Sequence, residues 1–488
     1  MRKQIYSICF VLLMLAAVWA RGIILLQQET PEDISGALAV SENSVANAAD
    51  TGFGKKTVLR VWYTQDSMTE YLKKKASAYS AEHEDILVVP MLAQQAEYLE
   101  SVYQASIRED ADSFMPDLYL TTNDTLEKAY LSGIASPIDD PENRVCEEDF
   151  PKAALSGVTY QGQKVAYPLS YETAVFLYNR TYLEEMAKAH NLAMADVAEA
   201  EASQDQTQAL LDAGLNPDDV APAEEESPMS IEEVSAEDLI PKSFEDILNL
   251  ANDYDAPEGM EAILKWDVTD VFYNYFFAGN YMELGGENGD DKTLVDLNNP
   301  EAVACLEVYQ ALRQFFSIEA KDSDYETILK EFAEGKLLFT IATTDALKKL
   351  DEAKAAGGEV CDFGVGFLPD LNENLASRGL SVTNVVAVNG FSQKQKEANA
   401  FAAYLTCDAD SDLYRDTGHL AASRRVEYED DRTGFCMAAY EKSIGLPKLM
   451  EASNFWMQLE ITMTRIWEGE DITESMAALQ DQMQSQIQ

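Results

Sequence analysis

Histidine is the scarcest chemical resource of this chain of 488 residues. His83, His190 and His419 are the only three, and no two stand at a spacing that would share one metal ion. Positive charge is short as well. Lys and Arg number 36 against 86 Asp and Glu, a formal net charge of −50. That balance excludes nucleic acid and anionic lipid surfaces as partners, since phosphate recognition needs basic side chains. Six cysteines occur, Cys9, Cys146, Cys305, Cys361, Cys407 and Cys436, with no C-x-x-C pair among them. Setting aside Cys9, which sits in an apolar run, leaves an odd number. Mostly buried thiols are expected, with room for one disulfide that the spacing does not assign. Also absent are a G-x-S-x-G elbow, a P-loop and a G-x-G-x-x-G turn after a strand. Carboxylate pairs abound in so acidic a chain; Glu172 with Asp270 is the pair a glycosidase would need. The sequence thus gives no catalytic residue, metal ligand or cofactor.

What is present is a globular composition, 47% apolar and 10% aromatic, in a length suited to two or three domains. Arg2 and Lys3 precede an apolar run from Ile5 to Ala20, which resumes after Arg21 as Gly22–Leu26. Residues 1–27 therefore read as a secretory signal peptide, cleavable after Ala20, or as an uncleaved membrane anchor with the body outside. Either way the protein is extracytoplasmic: membrane-anchored at the cell surface, or periplasmic or secreted. Residues 28–55, rich in small and polar types, read as a flexible tether.

Order begins at Thr57–Tyr63, an alternating strand. A helix with Met68, Tyr71, Leu72, Ala76 and Tyr79 on one face follows, and then a strand at Ile86–Val89. This βαβ spacing predicts a parallel sheet. It recurs with a strand at Pro116–Leu120 and a helix over Asp124–Ser132. Two strands, Lys164–Tyr167 and Thr173–Tyr178, are expected on either side of Pro168, with an exposed pair, Tyr171-Glu172, between them. Residues 187–241 hold no Lys or Arg beyond Lys188 and are broken by Pro217, Pro222 and Pro228. They read as an acidic, partly helical or disordered insertion. Ser243 with Asp246 predicts a helix start, as does Asn299-Pro300-Glu301. Gly285-Gly286-Glu287-Asn288-Gly289-Asp290-Asp291 reads as a glycine-rich turn, since it lacks the terminal Glu of a calcium loop.

Aromatic residues beside acids and amides give the functional lead. Trp62 ends the first strand, where open parallel sheets bind ligands, and Asn123-Asp124 follows another strand. Asp270, Phe272 and Tyr275 share an aromatic-dense stretch, and Trp456 lies in an amphipathic helix. Taken singly each fits core packing. Together they suit a polyhydroxylated ligand, with rings for its faces and carboxylates for its hydroxyls.

Several motifs run in order from about Thr57 to Met483: V-W-Y-T; M-P-D-L-Y-L-T-T-N-D; L-S-G-I-A-S-P-I-D; P-L-S-Y-E-T-A-V-F-L-Y-N-R; P-K-S-F-E-D-I-L; L-N-N-P-E-A-V; F-A-E-G-K-L-L-F-T-I; F-G-V-G-F-L-P; V-V-A-V-N-G-F-S; E-A-N-A-F-A-A-Y-L-T and N-F-W. In this order the chain resembles the extracellular solute-binding proteins of ABC sugar importers, of the maltose/maltodextrin type. The resemblance implies an α/β, two-lobed periplasmic-binding-protein-like fold (type II) with the ligand in an interlobe cleft. One lobe would take 56–170 plus 380–432. The other would take 171–379 plus 433–488, with the insertion inside it. The sugar-contacting positions would map onto Trp62, Asp124, Glu172, Asp270, Phe272 and Trp456, with Tyr171 beside Glu172 at the crossover. The implied partners are a mono- or oligosaccharide and an ABC permease. A membrane-tethered sensor or surface binder without transport is the alternative. After F-T-I the family often has Gly-Pro-Trp; here Ala342-Thr343-Thr344-Asp345 stands instead, so a stacking tryptophan is missing and a smaller or different solute is open.

Overall fold

In a computed structural model, the described residues are 56–108, 114–212, 233–316, 318–322 and 324–487. The expected signal or anchor and the tether lie outside them, as do residues 213–232 of the insertion. The described residues fall in two compact units. The smaller contributes 56–58 and 82–87, where the Thr57 N–H donates to the Asp85 carbonyl at 2.8 Å. The larger runs over 59–81 and from 88 onward, and it holds the site residues described below.

Strand β1 (Thr57–Tyr63) has the expected bounds, and β2 follows at Ile86–Leu92. Val61 and Trp62 of β1 pair in parallel with Leu118 and Tyr119 of β3 (Leu118–Thr122). Next come a small hairpin, β4 (Thr159–Tyr160) with β5 (Gln163–Lys164), and the long strand β6 (Tyr167–Asn179). The sequence suggested a break at Pro168. Instead β6 is continuous for 13 residues. Proline has no N–H to give a ladder, so it needs an irregular place. It finds one here: the register with the neighbouring strand slips between Asn384, opposite Ser170, and Val385, opposite Pro168.

Further strands are β7 (Ala262–Lys265), the pair β8 (Glu283–Gly285) and β9 (Asp291–Asp296), β10 (Leu337–Thr343), β11 (Phe363–Gly366), β12 (Leu380–Val388) and the two-residue β13 (Leu420–Ala421) and β14 (Ile444–Gly445). The sheet is mixed rather than purely parallel. Its central feature is a change of partner along β6. Residues Tyr167–Thr173 pair antiparallel with β12, which also pairs antiparallel with β3. From Ala174 onward β6 pairs antiparallel with β10 and β11, and β10 pairs in parallel with β7. The switch falls between Thr173 and Ala174, one residue beyond Glu172.

Local capping follows the sequence. Ser243 and Asp246 form a reciprocal capping box before the helix Phe244–Asp253, and Asn299 accepts from the Ala302 N–H (2.8 Å) before Pro300–Phe316. The first part of the acidic insertion continues a 33-residue helix, Arg180–Asp212. Around the second half of β6 lies a core rich in aromatics. Trp266 and Trp467 meet edge to face at 5.4 Å, and Phe277 packs on Tyr309 at 4.8 Å. The five described cysteines are all free thiols.

Candidate functional site

The C-terminal ends of β1 and β3 open onto a cleft of about 940 Å³. Its lining includes Thr64, Gln65, Tyr98, Thr122, Asp124 and Trp456. A volume near the upper end of the usual range for small-molecule sites suits a ligand larger than a monosaccharide. A smaller cavity with Ser170 and Asn384 adjoins it, sharing Thr64 and Gln65. Asp124 stands in the turn after β3, where its carboxylate accepts the Thr122 hydroxyl at 2.5 Å. Burial pushes this carboxyl up, while Thr122 and the Lys448 ammonium oppose the rise.

Across the cleft Trp456 opens the helix Phe455–Trp467. Its indole is partly exposed, braced edge to face by Tyr275 at 5.7 Å and by Phe455 at 5.1 Å. Glu460 is one turn further along the same face. Burial and neighbouring Asp270 push the Glu460 carboxyl up. Asp270 caps a short helix by accepting from the Phe272 N–H (2.7 Å), and burial raises it too.

Glu172 extends this acidic line. Its carboxyl is pushed up to about 7, first by burial, then by Asp345 and Asp270, against relief from Lys349 and Thr343. Asp345 is held firmly: Tyr325 donates its hydroxyl at 3.0 Å, Thr343 donates another, and Lys349 lies at 2.9 Å. Tyr325 stacks on Tyr273 at 4.8 Å. Neither Asp345 nor these tyrosines stood out in the sequence. The one signal was position, since Asp345 follows the strand end where the resembling family carries its tryptophan. Tyr98, Thr64 and Gln65 of the opposite wall were also missed, having no motif of their own.

Other expected site residues serve the framework. The Asn123 side chain is fully buried, donating to the Leu446 carbonyl (2.7 Å) and accepting the Thr383 N–H (2.9 Å). Tyr171, read as exposed, is only 1% exposed and stacks flat on Tyr440 with centroids 4.1 Å apart. Burial of an apolar ring against another outweighs its display beside Glu172. Tyr275 is buried behind Trp456, and Phe272 is partly exposed, edge to face with Tyr273. Trp62 lies in register with Tyr119, and its indole N–H is buried with no partner among the described residues.

The glycine-rich turn is the hairpin between β8 and β9, and it braces one edge of the cleft. Gly289 has φ +64°, and a Cβ there would come within 2.7 Å of Pro447 Cα. Gln161 N–H donates to Asp290 at 2.6 Å, and the Ser156 hydroxyl donates to the Glu287 carbonyl at 2.7 Å. Lys448, 1% exposed, donates to the carbonyls of Ser156 (2.8 Å) and Asn288, and burial draws its ammonium down to about 8. Lys292 bridges Glu451 (2.6 Å) and buried Glu127 (3.4 Å) alongside.

A mixed sheet whose central strand changes partner, with a cleft at the ends of neighbouring strands, is an α/β fold of the two-lobed, type II periplasmic-binding kind. A family model for bacterial extracellular solute-binding proteins matches residues 74–430, and the chain belongs to that family. Family membership implies an extracytoplasmic place, and the family's members are binding proteins. Among solved structures, the extracellular solute-binding protein of Staphylococcus aureus, in complex with maltose, aligns with a TM-score of 0.66 at 16% identity. That match covers 89% of this chain and 98% of the other. A cyclo/maltodextrin-binding protein complexed with maltotetraose gives 0.64 at 18% identity, covering 90% and 99%. The maltose-binding protein MalE of Listeria monocytogenes, with maltose, gives 0.64 at 17%, covering 88% and 98%. At these identities the likeness establishes the fold. Comparison with curated protein sequences gave no match. Among the described residues no helix is long and apolar enough to cross a membrane.

Proposed function

We propose that this protein captures a carbohydrate in the cleft between Asp124 and Trp456 and presents it to an ABC permease. The observation that carries the reading is the pairing of a half-exposed indole, braced from behind by Tyr275 and Phe455, with hydroxyl-bearing and acidic groups on the opposite wall. An indole covers the apolar face of a pyranose; Asp124, Glu172 and Asp270 accept its hydroxyl protons. The lobes would meet within β6 and close over the ligand by hinge motion, the closed form being the one a permease reads. Residues 1–27 would hold the protein at the membrane or direct its export.

A second reading comes from one observation: Glu172, Asp270, Asp345 and Glu460 crowd together, with Lys349 as the cation beside them. That wall favours an amine-bearing sugar over a neutral one. Thermal melts with maltose, maltotetraose and glucosamine oligomers test both. A specific ligand at a roughly 100-fold excess over Kd stabilises by about 2.7 kcal/mol. A shift with the first two alone supports the neutral sugar, and a shift with the last alone supports the amino sugar. No shift with any of them overturns the carbohydrate assignment.

A further inference from the structure

A separate cavity of about 440 Å³ lies against Thr173 and Ala174, where β6 changes partner. It shares no lining residue with the cleft. Two phenyl rings border it, Phe367 and Phe435, 40% and 42% exposed and edge to face at 5.8 Å. Single exposed apolar side chains are ordinary; two forming a corner beside a cavity are the mark of a contact surface.

The same cavity gathers three cations: Lys242, Arg378 and Lys442. The Lys442 ammonium lies 4.0 Å from the Phe367 ring centroid. The Arg378 guanidinium donates to the carbonyls of Lys442 (3.1 Å) and Ser443 (3.3 Å). None of the three makes an ion pair among the described residues. Two acids also border the cavity: Glu237 pairs with Arg180 at 3.1 Å, and Asp370 accepts the Ser377 N–H at 2.8 Å. Three cations that line one cavity with no ion pair among the described residues make it a match for an anion from outside.

We propose that this cavity binds a small carboxylate-bearing molecule with an apolar ring. The ring packs into the Phe367–Phe435 corner, and the carboxylate faces Lys442, Arg378 and Lys242. The volume fits such a ligand. The occupant is an organic anion, because inorganic phosphate would leave both phenyl rings in water.

The test is titration calorimetry of the full-length protein with phenylacetate as probe, and benzyl alcohol and acetate as its neutral and ringless halves. Expected is saturable millimolar binding of phenylacetate, with each half weaker by about tenfold or more. Lys442→Met and Phe435→Ala should each weaken phenylacetate at least about fivefold, with unchanged melting of the ligand-free protein, since both side chains lie at the surface. Three results would overturn the proposal: no saturable binding, equal binding of benzyl alcohol, or equal binding in both variants.

Discussion

Asp124, in the turn after β3, and Glu172, within β6, are both carboxylates that burial raises, yet their surroundings are opposite. Asp124 has a hydroxyl donor in Thr122 and the Lys448 ammonium nearby. Glu172 faces Asp345 and Asp270, with Lys349 and Thr343 as partial relief. One wall is satisfied without a ligand; the other stores repulsion that hydroxyl or amine protons of a ligand would relieve. Stored strain of this kind gathers at functional sites, and here it is electrostatic.

The comparison can be broken first at its scaffold. Glu172 is held in place by the flat stack of Tyr171 on Tyr440, whose hydroxyl also bonds Thr383 at 2.6 Å. Tyr440→Ala should cost about 3–5 kcal/mol in urea denaturation, the usual cost of removing a buried aromatic ring. A loss below about 1 kcal/mol would mean that the stack does not support this wall.

Glu172→Gln comes next, and it should stabilise. The folded protein holds the Glu172 proton up to about 7, against an ordinary 4.5. Folding therefore takes up a proton between these values, and stability falls as pH rises through that window. The cost is complete above 7 and amounts to at most about 3 kcal/mol, less where solvent screens the site. The Gln variant should melt higher than wild type above pH 7 and equally near pH 4.5. A gain that does not depend on pH would contradict the repulsion.

Asp124→Asn should do least. Its carboxyl is also raised by burial, so the carboxylate costs stability as pH climbs, with Thr122 and Lys448 opposing that rise. Asn keeps an acceptor for the Thr122 hydroxyl. A change within about 0.5 kcal/mol at neutral pH is expected by chemical denaturation. A gain as large as that of Glu172→Gln would erase the contrast between the walls.

How much of this was legible in the sequence depends on how local each signal is. The bounds of β1, the Ser243–Asp246 capping box and the Asn299 cap depend on a few adjacent residues, and they were readable. The continuity of β6 was not, because Pro168 is accommodated by a register slip against β12, a strand more than 200 residues away. Asp124 and Trp456 were recognisable by their residue type and place, and the fold brings them to one cleft. Asn123 and Tyr171 were of fitting types, but their orientation is set by Leu446, Thr383 and Tyr440, all distant in sequence. Asp345 and Tyr325 reach the site only through the antiparallel pairing of β10 with β6, which no local pattern announces.

Whether Trp456 and Asp124 bound a carbohydrate site is decided by calorimetric titration of maltotetraose into wild-type protein and Trp456→Ala. Expected are saturable binding by the wild type and a loss of at least about tenfold in the variant, with the same melting temperature without ligand. Equal affinity in the two proteins would contradict such a site.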